Sequence, residues 1–146
     1  MALLRIDHVG VVVDDLVSVK KFLKSLGLEV MGEADVGGEW VEQIIGLKKV
    51  KETVVMMRVP GGEAMIELVK FHTPADAKGV RESYANTLGI RHIAFAVEDI
   101  GTIVTDLASE GGELVGEVKN YEDTYKLCYI RGPENIIVEL AEKIKK

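Results

Sequence analysis

The chain has 146 residues, 47% hydrophobic and 29% charged, a balance that fits one ordinary water-soluble domain with a sizeable core and excludes a disordered or membrane class. Its formal charge of -6 argues against nucleic acid, whose phosphates need clustered Lys and Arg. The lone Cys128 excludes an internal disulfide and a thiolate cluster for zinc, and reads as a small core hydrophobe.

In chain order, Leu3 to Val13 is rich in β-branched residues and reads as a buried strand. Asp14-Asp15 offers an N-cap for a helix over Leu16 to Leu26, whose apolar face is Leu16, Val19, Phe22, Leu23 and Leu26, with Gly27 as its stop. A strand begins over Glu29 to Met31, and Gly32, Gly37 and Gly38 predict a turn-rich break before Trp40. Trp40 to Lys49 fits a strand or a short helix. Thr53 to Val59 and Ala64 to Phe71 form a hairpin around the turn Pro60-Gly61-Gly62. Residues 72–88 are polar and aperiodic, as expected of a connector. A strand over Gly89 to Val97, a helix over Asp99 to Glu110 and strands over Glu113 to Val118, Thr124 to Arg131 and Asn135 to Glu142 complete the chain. Residues 1–15 show no apolar leader followed by a small-residue cleavage site, so the expected location is cytoplasmic.

That order of elements occurs twice. IDHVGVVVDD, from Ile6, and the stretch from Ile90 to Asp99 align at an offset of 84, and between positions 6 and 33 the register gives ten identities, including His8 with His92. Met65-Ile66-Glu67-Leu68 lies over Ile137-Val138-Glu139-Leu140 at an offset of 72. Each copy therefore carries a matched histidine in its first strand and a matched glutamate in its last. Matched positions in two copies of a unit are related by the symmetry of the repeat.

A carboxylate amid an apolar strand is costly to bury unless it is paired or bound to a cation. Taken singly, each of these residues fits an ordinary strand position. Taken together, two histidines and two glutamates at matched positions predict a His2Glu2 site for a divalent metal, if the copies pack with pseudo-twofold symmetry. Neutral imidazole and carboxylate suit Zn, Ni, Fe, Co or Mn better than a thiolate-loving ion.

IDHVGVVVDD, MIELVKF, GIRHIAFAVED and YIRGPENIIVELAE resemble the vicinal oxygen chelate superfamily of glyoxalase I, methylmalonyl-CoA epimerase, extradiol dioxygenases and the fosfomycin and bleomycin resistance proteins. The resemblance is closest to bacterial glyoxalase-like members. It implies an α+β fold in which two βαβββ modules, residues 1–71 and 89–146 joined by 72–88, form one domain with a cupped, barrel-like mixed sheet. It places the metal ligands on His8, Glu67, His92 and Glu139. It implies a glyoxalase-type lyase or isomerase that moves a proton next to a carbonyl of a small-molecule substrate through a metal-bound enediolate, with Glu139 or Glu67 as the base. It also implies a homodimer.

Two other readings stay open: an isomerase like methylmalonyl-CoA epimerase, or a non-catalytic protein that sequesters a ligand, as bleomycin resistance proteins do. The chain departs from glyoxalase I in lacking recognisable glutathione-holding residues after MIEL, and from the epimerase in having Glu67 where Gln is usual. Trp40, Met56, Tyr121, Tyr125, Lys126 and Arg131 are candidates to line a substrate cup, and His72 reads as a surface histidine.

Overall fold

A computed structural model of the chain describes residues 2–145. The chain divides into two compact units, Met1–Val80 and Arg81–Lys146.

The first unit runs β1 (His8–Val12), α1 (Leu16–Leu26), β2 (Glu29–Gly37), α2 (Glu39–Ile45), β3 (Lys51–Arg58) and β4 (Met65–Thr73). Its strands form one mixed sheet in the order β1-β4-β3-β2, with β1 parallel to β4 and the other pairs antiparallel. The helix α1 has the bounds expected from sequence. The Asp15 carboxylate accepts from the Ser18 amide at 3.0 Å, and Gly27, at φ 125°, ends the helix with its amide on the carbonyls of Leu23 and Lys24.

Val19, Phe22 and Leu23 are the buried residues of α1, each contributing roughly 1.5–3 kcal/mol as a fully buried apolar side chain. They pack toward the sheet face that carries Ile66 and Leu68 of β4 and Val55 and Met57 of β3, all buried. Lys70 on that face donates to the carbonyl of Asp14, at the start of α1. Alternation then sends His8, Gly10, Glu67, Met56, Arg58 and Glu52 to the other face.

The strand β2 runs through Gly32 and Gly37, and the expected break before Trp40 falls at Gly38, which caps α2 at φ 97°. Gly37 stays extended at the close approach of two strands, where a Cβ would meet the Val50 carbonyl oxygen at 2.7 Å; here glycine serves packing, not a turn. The stretch after it is the short helix α2, which settles the strand-or-helix alternative. His72 lies inside β4, exposed, with its Nε2 2.8 Å from the Thr53 hydroxyl.

The second unit runs β5 (His92–Val97), α3 (Ile100–Ala108), β6 (Glu113–Leu114), β7 (Lys119–Tyr121), β8 (Tyr125–Arg131), a 3-10 turn at Pro133–Asn135 and β9 (Ile137–Lys143). The sheet order is β5-β9-β8-β6, with β7 also pairing β8, and β5 is parallel to β9. Asp99 caps α3, accepting from the Thr102 hydroxyl at 2.7 Å, and Ile100 and Leu107 anchor the helix in the core. The strand expected over Glu113 to Val118 is formed only at Glu113–Leu114, and a further short strand, β7, follows outside that range and ends at Tyr121.

The repeated strand-helix-strand order thus appears as two open mixed sheets in an α+β fold, and among the described residues neither sheet closes into a barrel. No helix of the described residues is long and apolar enough to cross a membrane.

Candidate metal centre

In the first unit the Cα partners His8, Met65, Arg58 and Glu29 form one row across β1, β4, β3 and β2. The next row on the same face is Gly10, Glu67, Met56 and Gly32. His8 and Glu67 are therefore diagonal neighbours, and His8 Nε2 lies 3.8 Å from Glu67 Oε2. Gly10 leaves the space in front of Glu67 open, with nothing within 4 Å of where a Cβ would stand.

His8 Nδ1 is held by Asp7 Oδ2 at 2.8 Å. That bond raises the His8 pKa above the ordinary imidazole value, with a further upward push from the Glu67 charge, and it lowers the pKa of Asp7. A carboxylate on one ring nitrogen fixes the tautomer that presents the other as a lone pair, the arrangement usual behind metal-ligating histidines.

In the second unit the corresponding rows are His92, Ile137, Arg131 and Glu113, then Ala94, Glu139 and Tyr129. His92 Nε2 lies 3.2 Å from Glu139 Oε1. The imidazole leans on the Tyr129 ring, with centroids 4.9 Å apart and planes at 41°. Both histidines are about two-fifths exposed, at 40% and 36% of their side-chain surface, so each can reach a ligand.

Each unit, taken by itself, therefore brings together the histidine and glutamate singled out in its sequence. Among the described residues there is no group of three or more His, Cys, Asp or Glu side chains that could hold a metal ion. The donor chemistry of each pair, one imidazole nitrogen and one carboxylate, suits a divalent metal.

The other cup candidates divide. Met56 pairs directly with Glu67, and Tyr125 lies on the same face as Tyr129, four residues along β8. Arg131 is committed elsewhere: its Nη1 donates to the Ser83 carbonyl at 2.7 Å, and its guanidinium sits 5.9 Å from the Tyr84 ring centroid. Lys126 pairs with Glu142, on the face opposite Glu139, and Trp40 is 60% exposed on α2. Cys128 is buried, and burial pushes its thiol pKa up, with a smaller push from the Glu139 charge, which suits a packing role.

Three side chains escape a reading of the sequence. Strand alternation points Asp7 away from His8, yet its side chain curls back to the neighbouring ring. Glu52 is buried on the Glu67 face, and burial, reinforced by the Glu67 charge, raises its pKa. Arg58 ends the run Glu52, Val54, Met56, Arg58 along that face. Counting by twos from Met56, already a candidate, finds both.

A family model described as the Glyoxalase/Bleomycin resistance protein/Dioxygenase superfamily matches residues 5–140. Among solved structures, a glyoxalase family protein from Bacillus cereus is 42% identical, with a TM-score of 0.94 over 99% of each chain. Glyoxalase I from Zea mays gives a TM-score of 0.70 at 20% identity, over 97% of this chain and 46% of the maize chain. A mutant of the fosfomycin resistance protein FosX from Listeria monocytogenes, complexed with Mn(II) and 1S,2S-dihydroxypropylphosphonic acid, gives 0.60 at 16% identity, over 94% of this chain and 89% of that one. The maize and Listeria likenesses are ones of fold. No protein of curated function matches the sequence.

Proposed function

The chain belongs to the Glyoxalase/Bleomycin resistance protein/Dioxygenase superfamily, and from that premise we propose that it is a metal-dependent lyase or isomerase of the glyoxalase type. Its proposed metal ligands are His8, Glu67, His92 and Glu139. The observation that carries this reading is the recurrence of a His–Glu pair, at 3.8 Å in the first unit and 3.2 Å in the second, at matched register positions. One such pair is an ordinary surface contact. Two, placed by an internal repeat, point to a shared purpose.

Ni or Zn suits the donors, and the metal, when bound, supplies a Lewis acid for charge that develops on a carbonyl oxygen. The chain supplies the rest. His8 is oriented by Asp7 and His92 by the Tyr129 ring. Glu139 or Glu67 takes the proton from the carbon beside the carbonyl and returns it to the neighbouring carbon of an α-oxo substrate, or to the other face of the same carbon of a thioester, and either change is an isomerisation. The substrate is a small α-oxo compound or thioester, and the working form is a homodimer.

Metal analysis of protein purified without chelators, with thermal unfolding in added Ni or Zn, tests the site. Expected are near-stoichiometric metal and a raised midpoint; less than about a tenth of an equivalent with no stabilisation rejects it. Solvent-deuterium exchange into hemithioacetals and acyl-CoA thioesters tests the chemistry. Tight binding of a compound with no exchange would favour the sequestering alternative.

A further inference from the structure

Arg58 and Arg131 hold the same register position in the two units. Arg58 pairs with Met65, and Arg131 with Ile137, the residue 72 positions after Met65; their outer partners are Glu29 and Glu113. Arg131 is satisfied by its own unit, through the Ser83 carbonyl at 2.7 Å, Asn135 Oδ1 at 3.5 Å and the Tyr84 ring. Arg58, with 38% of its side chain exposed, makes no such hydrogen bond among the described residues. Its Nε is buried and, among the described residues, without a hydrogen-bond partner. The Glu29 carboxylate approaches that nitrogen only to 3.6 Å, with 47% of its own side chain exposed, a distance too long for a hydrogen bond and a setting in which an ion pair is weak.

A buried N–H left unpaired is costly, and such groups in a folded protein call for an explanation. Arg58 also lies on the face of the first sheet that carries His8 and Glu67. It shares the His8 row across Met65, two strands and about 10 Å from the His8 backbone. The guanidinium edge formed by Nε and a terminal nitrogen is the fork that takes a carboxylate or phosphonate through two parallel bonds.

We propose that Arg58 is a binding residue for an oxyanion of the ligand, so that the substrate class is an α-oxo compound bearing a carboxylate or phosphonate away from its reacting carbons. This rests on the preceding reading for the role of His8 and Glu67, while the oxyanion site itself needs no metal. Glu29, 3.6 Å from that nitrogen, is the weak competitor that the ligand displaces.

The test uses protein labelled with nitrogen-15 arginine, both metal-free and zinc-loaded. The Nε–H resonances are followed during titration with 2-oxoglutarate, which carries a distal carboxylate, with phosphonopyruvate, which carries a distal phosphonate, and with 2-oxobutyrate, which carries neither. The Arg58 resonance should move saturably with at least one of the first two and not with 2-oxobutyrate, while the Arg131 resonance stays in place. The tighter of the two arms identifies the oxyanion. Arg58→Met should weaken the probe about tenfold or more, Arg58→Lys should weaken it less, and Glu29→Gln should tighten it. An Arg58 resonance that ignores both oxyanions, or a folded Arg58→Met protein that binds them as the parent does, overturns the assignment. Zinc content is read separately, so a moving Arg58 resonance in a protein that holds no zinc keeps the oxyanion site and rejects the metal centre.

Discussion

Across the first sheet runs the row His8, Met65, Arg58 and Glu29; across the second runs His92, Ile137, Arg131 and Glu113. Both rows begin with the proposed metal-binding histidine and both contain an arginine, but their surroundings differ. In the first unit the residue before the histidine is Asp7, which holds His8 Nδ1 at 2.8 Å. In the second it is Arg91, whose guanidinium turns to the carbonyls of Thr87 and Leu88 at 3.0 Å. Residues 81–88 belong to the second unit. They fill Arg131's hydrogen-bonding needs, while Arg58 keeps a buried donor free. A repeat fixes where a side chain stands and not what it does: one row is closed by its own backbone, and the other is left for a ligand.

The harshest test of the match lies in the cores. Leu23 in α1 and Leu107 in α3 are 84 positions apart and buried to 3% and 0% exposure. Leu23→Ala and Leu107→Ala should each destabilise the protein by about 2–5 kcal/mol in denaturant unfolding, and a cost below about 1 kcal/mol at either would show that the helices are not equivalent anchors.

The proposed ligands come next. Glu67→Ala and Glu139→Ala should each weaken zinc binding by more than about a hundredfold in calorimetric titration, beyond the loss usual for a residue that only orients a ligand. A variant that keeps parental affinity removes its glutamate from the site.

The two arginines should then separate. Arg131→Met strands the acceptors at Ser83 and Asn135 and should lower stability by about 1–3 kcal/mol, whereas Arg58→Met breaks no hydrogen bond among the described residues and should cost less than about 0.5 kcal/mol. Equal costs would erase the contrast between the rows.

Asp7→Asn is the mildest change. Zinc affinity should fall about tenfold. In the metal-free protein the His8 titration midpoint, raised above the ordinary 6.5 mainly by the Asp7 bond, should move back down when followed by NMR. The sign follows from the bond, which favours the imidazolium. Its stabilising contribution is present below 6.5 and is lost as the pH rises through the raised pKa, while metal needs the neutral ring and so gains as that proton leaves. A midpoint that does not fall would mean that Asp7 leaves the His8 ring alone.

Much of the fold was legible because its signals are local. The bounds of α1 follow from Asp15 at one end and Gly27 at the other, and the hairpin of β3 and β4 follows from Pro60-Gly61-Gly62 between apolar runs. The His–Glu pairs were legible because the repeat marked them twice. What misled was residue chemistry with more than one use. Gly32 and Gly37 read as breaks but lie within β2, at a register shift beside Gly32 and at the close approach to Val50. Leu3 to Asp7 reads as strand, yet β1 begins only at His8, because apolar and β-branched content alone does not say where a pairing partner starts.

By itself, the sequence determined the repeated order of elements, the helix ends and the two histidine–glutamate pairs, since caps, turns and strand alternation act over a few residues and a repeat copies them. Tertiary structure decided which side chains are satisfied. Whether an arginine is filled or waiting depends on what other segments place beside it, and the backbone that fills Arg131, at Ser83, comes from 48 residues earlier in the chain. No local pattern encodes that meeting, and it separates the first sheet's open row from the second's closed one.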